Sequence, residues 1–224
     1  MLARAGEYDS IGERSYRRIR TDIIFGKLAP AAKLRLDRLR DDYGTSVSTL
    51  RELLSRLASE GLVVAEGQRG FEVAPVSARN LREIAALRLL LESHALAQSF
   101  PSGDIDWEGR VVAAHHKLAS VEKRLLSADR AHLEKWKRYD FEFHHALISA
   151  CGSSALLELH APVYDKYLRY QMISGLFRGE IAAREHQKLL ACALNRDVAG
   201  ARDLLTTHIE DCVDFTIEKG KIPN

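Results

Sequence analysis

The sequence predicts a mainly α-helical protein, with an N-terminal winged helix-turn-helix at 8–76 and an all-α antiparallel helical bundle at 77–220. Three observations predict it. The first seventy-odd residues read helix, helix, turn, helix, strand, wing, strand. From Ser77 onward the pattern changes to long helices with no convincing strand. Finally, Asp140, His144, His186 and His208 fall where helical spacing expects inward-facing side chains, so the bundle has polar chemistry in its core.

From Ser10 to Phe25, Ile11, Tyr16, Ile19, Ile23 and Ile24 recur at helical spacing, and Gly26 and Pro30 end the run. A short helix over 36–43 stops at Gly44. Ser46-Val47-Ser48-Thr49 is rich in capping residues and opens a helix through Leu50, Leu53, Leu54 and Leu57, closed by Gly61. Residues 62–65 and 71–74 read as two strands, and 66–70 as the turn joining them. Further helices are predicted over 78–99, 105–126, 128–150, 154–177, 179–195 and 197–219. The separators are Pro101-Ser102-Gly103, Gly152-Ser153 and the Arg196-Asp197 region. The linker, 75–77, is short.

At 224 residues the chain has room for one large domain or two small ones. No run is long enough to span a bilayer, and the first ten residues lack the apolar stretch of a signal peptide. Cys151, Cys192 and Cys212 are odd in number and far apart, which argues against a disulfide framework and for a reducing cytoplasm. The net charge of +2 is uninformative. Its distribution is not: residues 14–40 hold nine basic side chains and two acidic ones, a local surface suited to a polyanion.

Asp140 and His144 are spaced i, i+4 and share a helix face with Leu133, Trp136, Leu147 and Ile148. His186 aligns with Leu189, Leu190 and Ala193, and His208 with Ala201, Leu204, Leu205, Cys212 and Phe215. Burying three imidazoles and a carboxylate is costly unless they are paired or bind a metal. Neutral imidazole suits zinc, nickel, copper or iron, with zinc or nickel the first expectation, and the carboxylate compensates charge. A single buried histidine is usually a hydrogen-bonded core residue; four such residues on inward faces favour a cation. His115, His116, His132, His145 and His160 show no such pattern and read as surface or packing residues. Arg88 and Glu92 form an inward i, i+4 pair on the stripe of Leu81, Ala85 and Ala95, open to a structural ion pair or to ligand binding.

In the N-terminal part, Ser46, Ser48, Thr49 and Arg51 sit at a helix start, where amides and small hydroxyls meet phosphate and arginine reaches phosphate or a guanine edge. Arg69 and Gly70 at the wing tip fit a minor-groove or backbone contact. Arg35, Arg38 and Arg40 are candidate phosphate contacts. Together, Tyr16-x2-Ile19-x2-Asp22-Ile23-Ile24-x-Gly26-x-Leu28, Leu39, Gly44, Ser46, Leu50-Arg51-Glu52-x-Leu54, Leu57, Glu60-Gly61-Leu62-Val63 and Arg69-Gly70-Phe71-x-Val73 resemble the winged-helix domain of the GntR family of bacterial repressors. Two positions depart from the pattern: Pro30-Ala31 replaces Pro-Gly, and Val47 stands where the family commonly has arginine. The second removes an expected DNA contact and so bears on the operator sequence.

Downstream, Arg88-x2-Leu91-Glu92, Asp140-x2-Phe143-His144, Cys151-Gly152-Ser153, Glu185-His186, Asp197-x3-Ala201 and His208-Ile209 resemble the FCD domain of the FadR-type subfamily. That resemblance makes Asp140, His144, His186 and His208 the metal ligands. It also makes Arg88 a lining residue of the effector cavity, and Arg169 matches an arginine that recurs in such domains, although Pro162, Asp165 and Lys166 suggest a polar face. It further implies a homodimer on double-stranded DNA with a roughly palindromic operator, and a small organic acid effector of dicarboxylate, hydroxy acid, sugar acid or acyl type. Two other readings stand beside this repressor: a metal-dependent hydrolase-like enzyme using the Asp/His3 site, and a helical interaction module with incidental histidines.

Overall fold

A computed structural model describes residues 10–67, 70–127, 132–175, 177–220 and 222–223. The chain divides into two compact units, one ending at Ser77 and the other starting at Ala78. Among the described residues there are nine helices and one three-stranded sheet.

The first unit contains α1 (Ile11–Ile24), β1 (Lys33–Leu34), α2 (Leu36–Tyr43), α3 (Val47–Ser59), β2 (Val63–Ala65) and β3 (Phe71–Val73). Ser10 caps α1 by accepting from the Glu13 amide, and Ser46 caps α3 by accepting from the Thr49 amide. Gly44 ends α2 with φ +64°, a left-handed conformation open to glycine at no steric cost, and so lets the chain turn directly into α3. Ile19, Ile23, Leu50, Leu54, Leu57 and Val73 are fully buried and, with Leu39 and Tyr43 of α2, tie the three helices to the sheet.

The sheet order is β1-β3-β2, both pairings antiparallel. The β2–β3 hairpin follows the sequence expectation, with Val63 opposite Val73 and Ala65 opposite Phe71. β1 does not: two residues are too few to show alternation. It forms because β3 offers a second edge, where Lys33 pairs with Glu72 and Ala31 and Ala32 exchange backbone hydrogen bonds with Val73.

The second unit contains α4 (Ala78–Ser102), α5 (Ile105–Leu126), α6 (Leu133–Ile148), α7 (Ser154–Ser174), α8 (Glu180–Leu194) and α9 (Val198–Gly220). α4 packs on α6, α7 and α9; α5 packs on α6 and α8; α8 packs on α9. Two of the expected boundaries need correction. α4 continues through Pro101 to Ser102, since a proline this close to the helix end disrupts little beyond it. α6 is helical from Leu133; residues 128–131, where its start was expected, lie outside the described residues. Pro162 lies inside α7 and the helix runs on past it.

Candidate functional site

His144 on α6, His186 on α8 and His208 on α9 converge: one nitrogen of each ring lies within 4.8 Å of the other two. All three residues are buried. Behind each ring stands a carboxylate. His144 Nδ1 is 3.0 Å from Glu92 Oε2, His186 Nδ1 2.7 Å from Glu122 Oε1, and His208 Nδ1 2.7 Å from Glu185 Oε2. An ionised carboxylate only accepts, so these contacts place a proton on each Nδ1 and leave Nε2 as the nitrogen that can bind a cation. Arg88 Nη2, a pure donor, also lies 3.0 Å from His144 Nδ1, so there the tautomer is contested, and a cation at Nε2 decides it in favour of Nδ1–H.

The Nε2 atoms of His144 and His186 are buried without a hydrogen-bond partner. Two orphaned imidazole nitrogens beside a third, each ring braced by a carboxylate, are what a divalent metal with nitrogen ligands requires. The donor set therefore fits the implied metal. Asp140 stands beside the cluster rather than at its centre: its Oδ1 is 3.3 Å from His186 Nε2, its Oδ2 accepts from the Tyr164 hydroxyl, and Lys137 Nζ is 3.9 Å from Oδ2.

The electrostatics agree with a site prepared for positive charge. Burial pushes His208 down to about 3, helped by the neighbouring His186 and His144 and opposed by Glu185. Burial also lowers His144. Burial opposes protonation of His186 too, but Asp140 and Glu122 on either side raise it to about 9. Without a metal, the cluster thus holds one proton between two carboxylates. Burial alone would raise the Asp140 carboxyl, yet Lys137 and the histidines hold it well below the usual range.

Beside the histidines is a small cavity, lined by Asp140, His186 and His208 on one side and by Lys137, Gln171, Arg178, Trp136 and Phe215 among others. Arg88 is not in that lining. It is fully buried, its Nε 2.7 Å from Glu92 Oε1, with its guanidinium between the rings of Tyr164 and Tyr167 at 4.3 and 4.6 Å. Arg169 is buried as well, which corrects the polar face expected of its neighbours.

Several contributors escaped the sequence reading. Glu122 and Glu185 brace two of the histidines; Glu122 falls one turn after Leu118 on the inward stripe of α5, and Glu185 precedes His186. Lys137 is buried beside Trp136. His160, read as a surface or packing residue, is fully buried with Nε2 2.8 Å from Glu92 Oε1.

In the winged helix, Arg35, Arg38, Arg40, Ser46, Ser48 and Arg51 are exposed and Thr49 is half-buried. Ser46 Oγ is engaged in capping and lies 2.9 Å from both the Ser48 and Thr49 hydroxyls, so Ser46 orders the start of α3. Arg40 meets Asp41 at 3.0 Å and Arg38 meets Asp42 at 4.0 Å. Among the described residues Arg35 and Arg51 form no ion pair, which leaves both guanidinium groups available. Gly70 has φ +93°, a backbone that side chains rarely adopt. Arg69 lies outside the described residues.

A helix-turn-helix with exposed basic residues at the start of α3, in a chain that also carries an all-helical unit with a buried polar cluster, has the make-up of a DNA-binding transcriptional regulator. Comparison with known proteins makes this specific. Residues 11–73 match the bacterial regulatory proteins of the gntR family, and residues 83–211 match the FCD domain. The chain belongs to the GntR family and carries an FCD domain. It is 36% identical to the HTH-type transcriptional regulator BphR of Paraburkholderia xenovorans, over 94% of this chain and 87% of that protein. It is 33% identical to the HTH-type transcriptional repressor GlaR of Escherichia coli, over 87% of this chain and 90% of that one. Among solved structures, Escherichia coli McbR/YncC has the same fold, with TM-score 0.77 at 20% identity over 94% of this chain and 99% of that one. A GntR transcriptional regulator from Rhodococcus sp. RHA1 aligns with TM-score 0.75 at 23% identity, again over 94% and 99%. No helix among the described residues is long and apolar enough to cross a membrane.

Proposed function

We propose that the protein is a repressor that binds a roughly palindromic operator as a homodimer and is controlled by a small organic acid at a divalent metal centre. His144, His186 and His208, with Asp140 next to His186, would hold the metal, zinc or nickel. When bound, it would supply a Lewis-acidic position for a carboxylate. The observation that carries this reading is the set of three inward imidazoles, each braced at Nδ1 by its own glutamate. His160 also meets Glu92, so it is the convergence of three ring nitrogens within 4.8 Å, together with the carboxylates, that sets these histidines apart. Arg88 serves the effector site by fixing Glu92 and through it His144, and Arg169, also buried, is a second arginine assigned to the effector. The effector acts by preferring one arrangement of the DNA-binding units, as any coupling of two sites requires.

In the first unit, Ser48, Thr49 and Arg51 at the start of α3 contact the operator, with Arg35, Arg38 and Arg40 on phosphates and Arg69-Gly70 at the wing tip. The relatives' names support the repressor assignment, since GlaR and the RspR of Escherichia coli are both called transcriptional repressors. A mobility-shift assay on the promoter regions flanking the gene tests the reading. Retention of a specific fragment that changes on adding organic acids, and no longer changes after chelation, is expected. Retention with no response to acid or chelator would refute the metal-effector part alone.

Arg51→Ala separates base from backbone contact. If Arg51 reads a base edge, the substitution weakens operator binding by about 1–3 kcal/mol and relaxes sequence preference at one position. If it meets phosphate, affinity falls evenly across sequences and the slope of log affinity against log salt drops by about 1. Unchanged affinity and slope would remove Arg51 from the interface.

A further inference from the structure

Lys137 is a buried cation that the metal centre does not use as a ligand. Its side chain is 2% exposed. Among the described residues, Nζ makes one hydrogen bond, to Gln171 Oε1, and lies 3.6 Å from the centre of the Trp136 ring. An ammonium has three donors, so two are left without a hydrogen bond. The anionic group nearest to it is Asp140, at 3.9 Å, and Lys137 lines the same cavity as His186 and His208.

The ion pairs around the cluster show which cation an incoming ion affects. Arg88 keeps Glu92 at 2.7 Å, and Arg178 keeps Glu185 through two contacts of 3.0 Å. Asp140 faces the ion, and Glu122 is bonded to His186. Lys137, whose anionic partner is Asp140 at 3.9 Å, would share that carboxylate with the ion.

We propose that Lys137 is a specificity-determining residue for the effector, its ammonium holding an oxygen of the carboxylate that reaches the metal position. This rests on the reading of His144, His186 and His208 as a metal centre. A carboxylate gives the free donors of Lys137 an anionic partner of their own, so the site selects an acid over a neutral metal ligand of similar size. The remainder of that molecule would meet the Trp136 and Phe215 rings together with the polar groups of Gln171, Arg178 and Thr216.

The test uses full-length protein loaded with cobalt(II), whose visible absorption reports a change of ligand at the metal. Wild type and Lys137→Met are titrated with acetate and, separately, with imidazole as a neutral metal ligand. Lys137→Gln provides a second variant should Met perturb folding, and cobalt content is measured for each protein. We expect equal cobalt content, acetate binding weakened at least tenfold in both variants, and imidazole binding within about twofold of wild type. Equal weakening of both probes would show a structural role and overturn the proposal, as would unchanged acetate binding or no acetate response in wild type. Failure of wild type to take up cobalt would sink the metal centre itself, a result distinct from all of these.

Discussion

Purified without chelator or histidine tag, the wild-type protein is expected to carry close to one divalent metal per chain, and His186→Ala to carry almost none. His186 is chosen because it lies at the middle of the cluster, between Asp140 at 3.3 Å and Glu122 at 2.7 Å, and is fully buried. A ligand present at roughly a thousand times its dissociation constant stabilises the folded state by about 4 kcal/mol. At about 2–4 °C per kcal/mol for a chain of this size, chelation lowers Tm by roughly 8–16 °C. His186→Ala should melt below the chelated wild type, because buried Glu122 and Asp140 lose their shared partner, and should not respond to chelator. Glu122→Gln leaves all three imidazoles in place but weakens the brace on His186, so it should bind metal about 10–100-fold more weakly. Because burial is outweighed by Asp140 and Glu122 in holding a proton on His186 up to about 9, an entering metal must displace that proton near neutral pH. Titration calorimetry should therefore give heats that depend on the buffer, and apparent affinity should fall as the solution is acidified. Metal-free wild type with a Tm indifferent to added zinc or nickel would end the metal assignment.

Much of this was legible in the chain because the helices are regular. The i, i+4 spacing of Asp140 and His144 and the apolar partners of His186 and His208 required only that each segment be a helix with one buried face. Each is, and the three histidines meet. The hairpin was legible from a glycine-bearing turn between two β-rich runs. What could not be read is anything that depends on which helices lie next to one another. Glu92, Glu122 and Glu185 are 52, 64 and 23 residues from the histidines they brace, and no local spacing connects such positions. β1 was missed for the same reason, since its only cause is an open edge on β3. Arg169 shows a further limit: its neighbours on α7 are polar enough to suggest solvent, and the packing of the bundle decided otherwise.

Arg88→Met is expected to destabilise the protein by about 3–5 kcal/mol, the usual result of removing one partner of a buried ion pair. The loss comes from Glu92, which would be left fully buried with its charge uncompensated. Burial pushes its carboxyl up, and the Arg88 guanidinium, with help from His144, at present holds it well below the usual range. Changing both residues, Arg88→Met with Glu92→Leu, removes the stranded charge and should recover most of the stability, as apolar replacement of buried pairs commonly does. It cannot recover all of it, because Glu92 also bonds His144 Nδ1 at 3.0 Å and His160 Nε2 at 2.8 Å, and unsatisfied buried groups cost about 1–3 kcal/mol each. Metal affinity should move the opposite way. In the single variant Glu92 still braces His144, so affinity changes little; in the double variant the brace is gone and affinity falls about 10–100-fold. Urea unfolding of the metal-free proteins and competition with a chromophoric chelator measure the two quantities separately. This crossing pattern distinguishes a residue that works through Glu92 from one that grips an effector directly. In the second case Arg88→Met would also abolish the response to organic acids while metal affinity stayed unchanged.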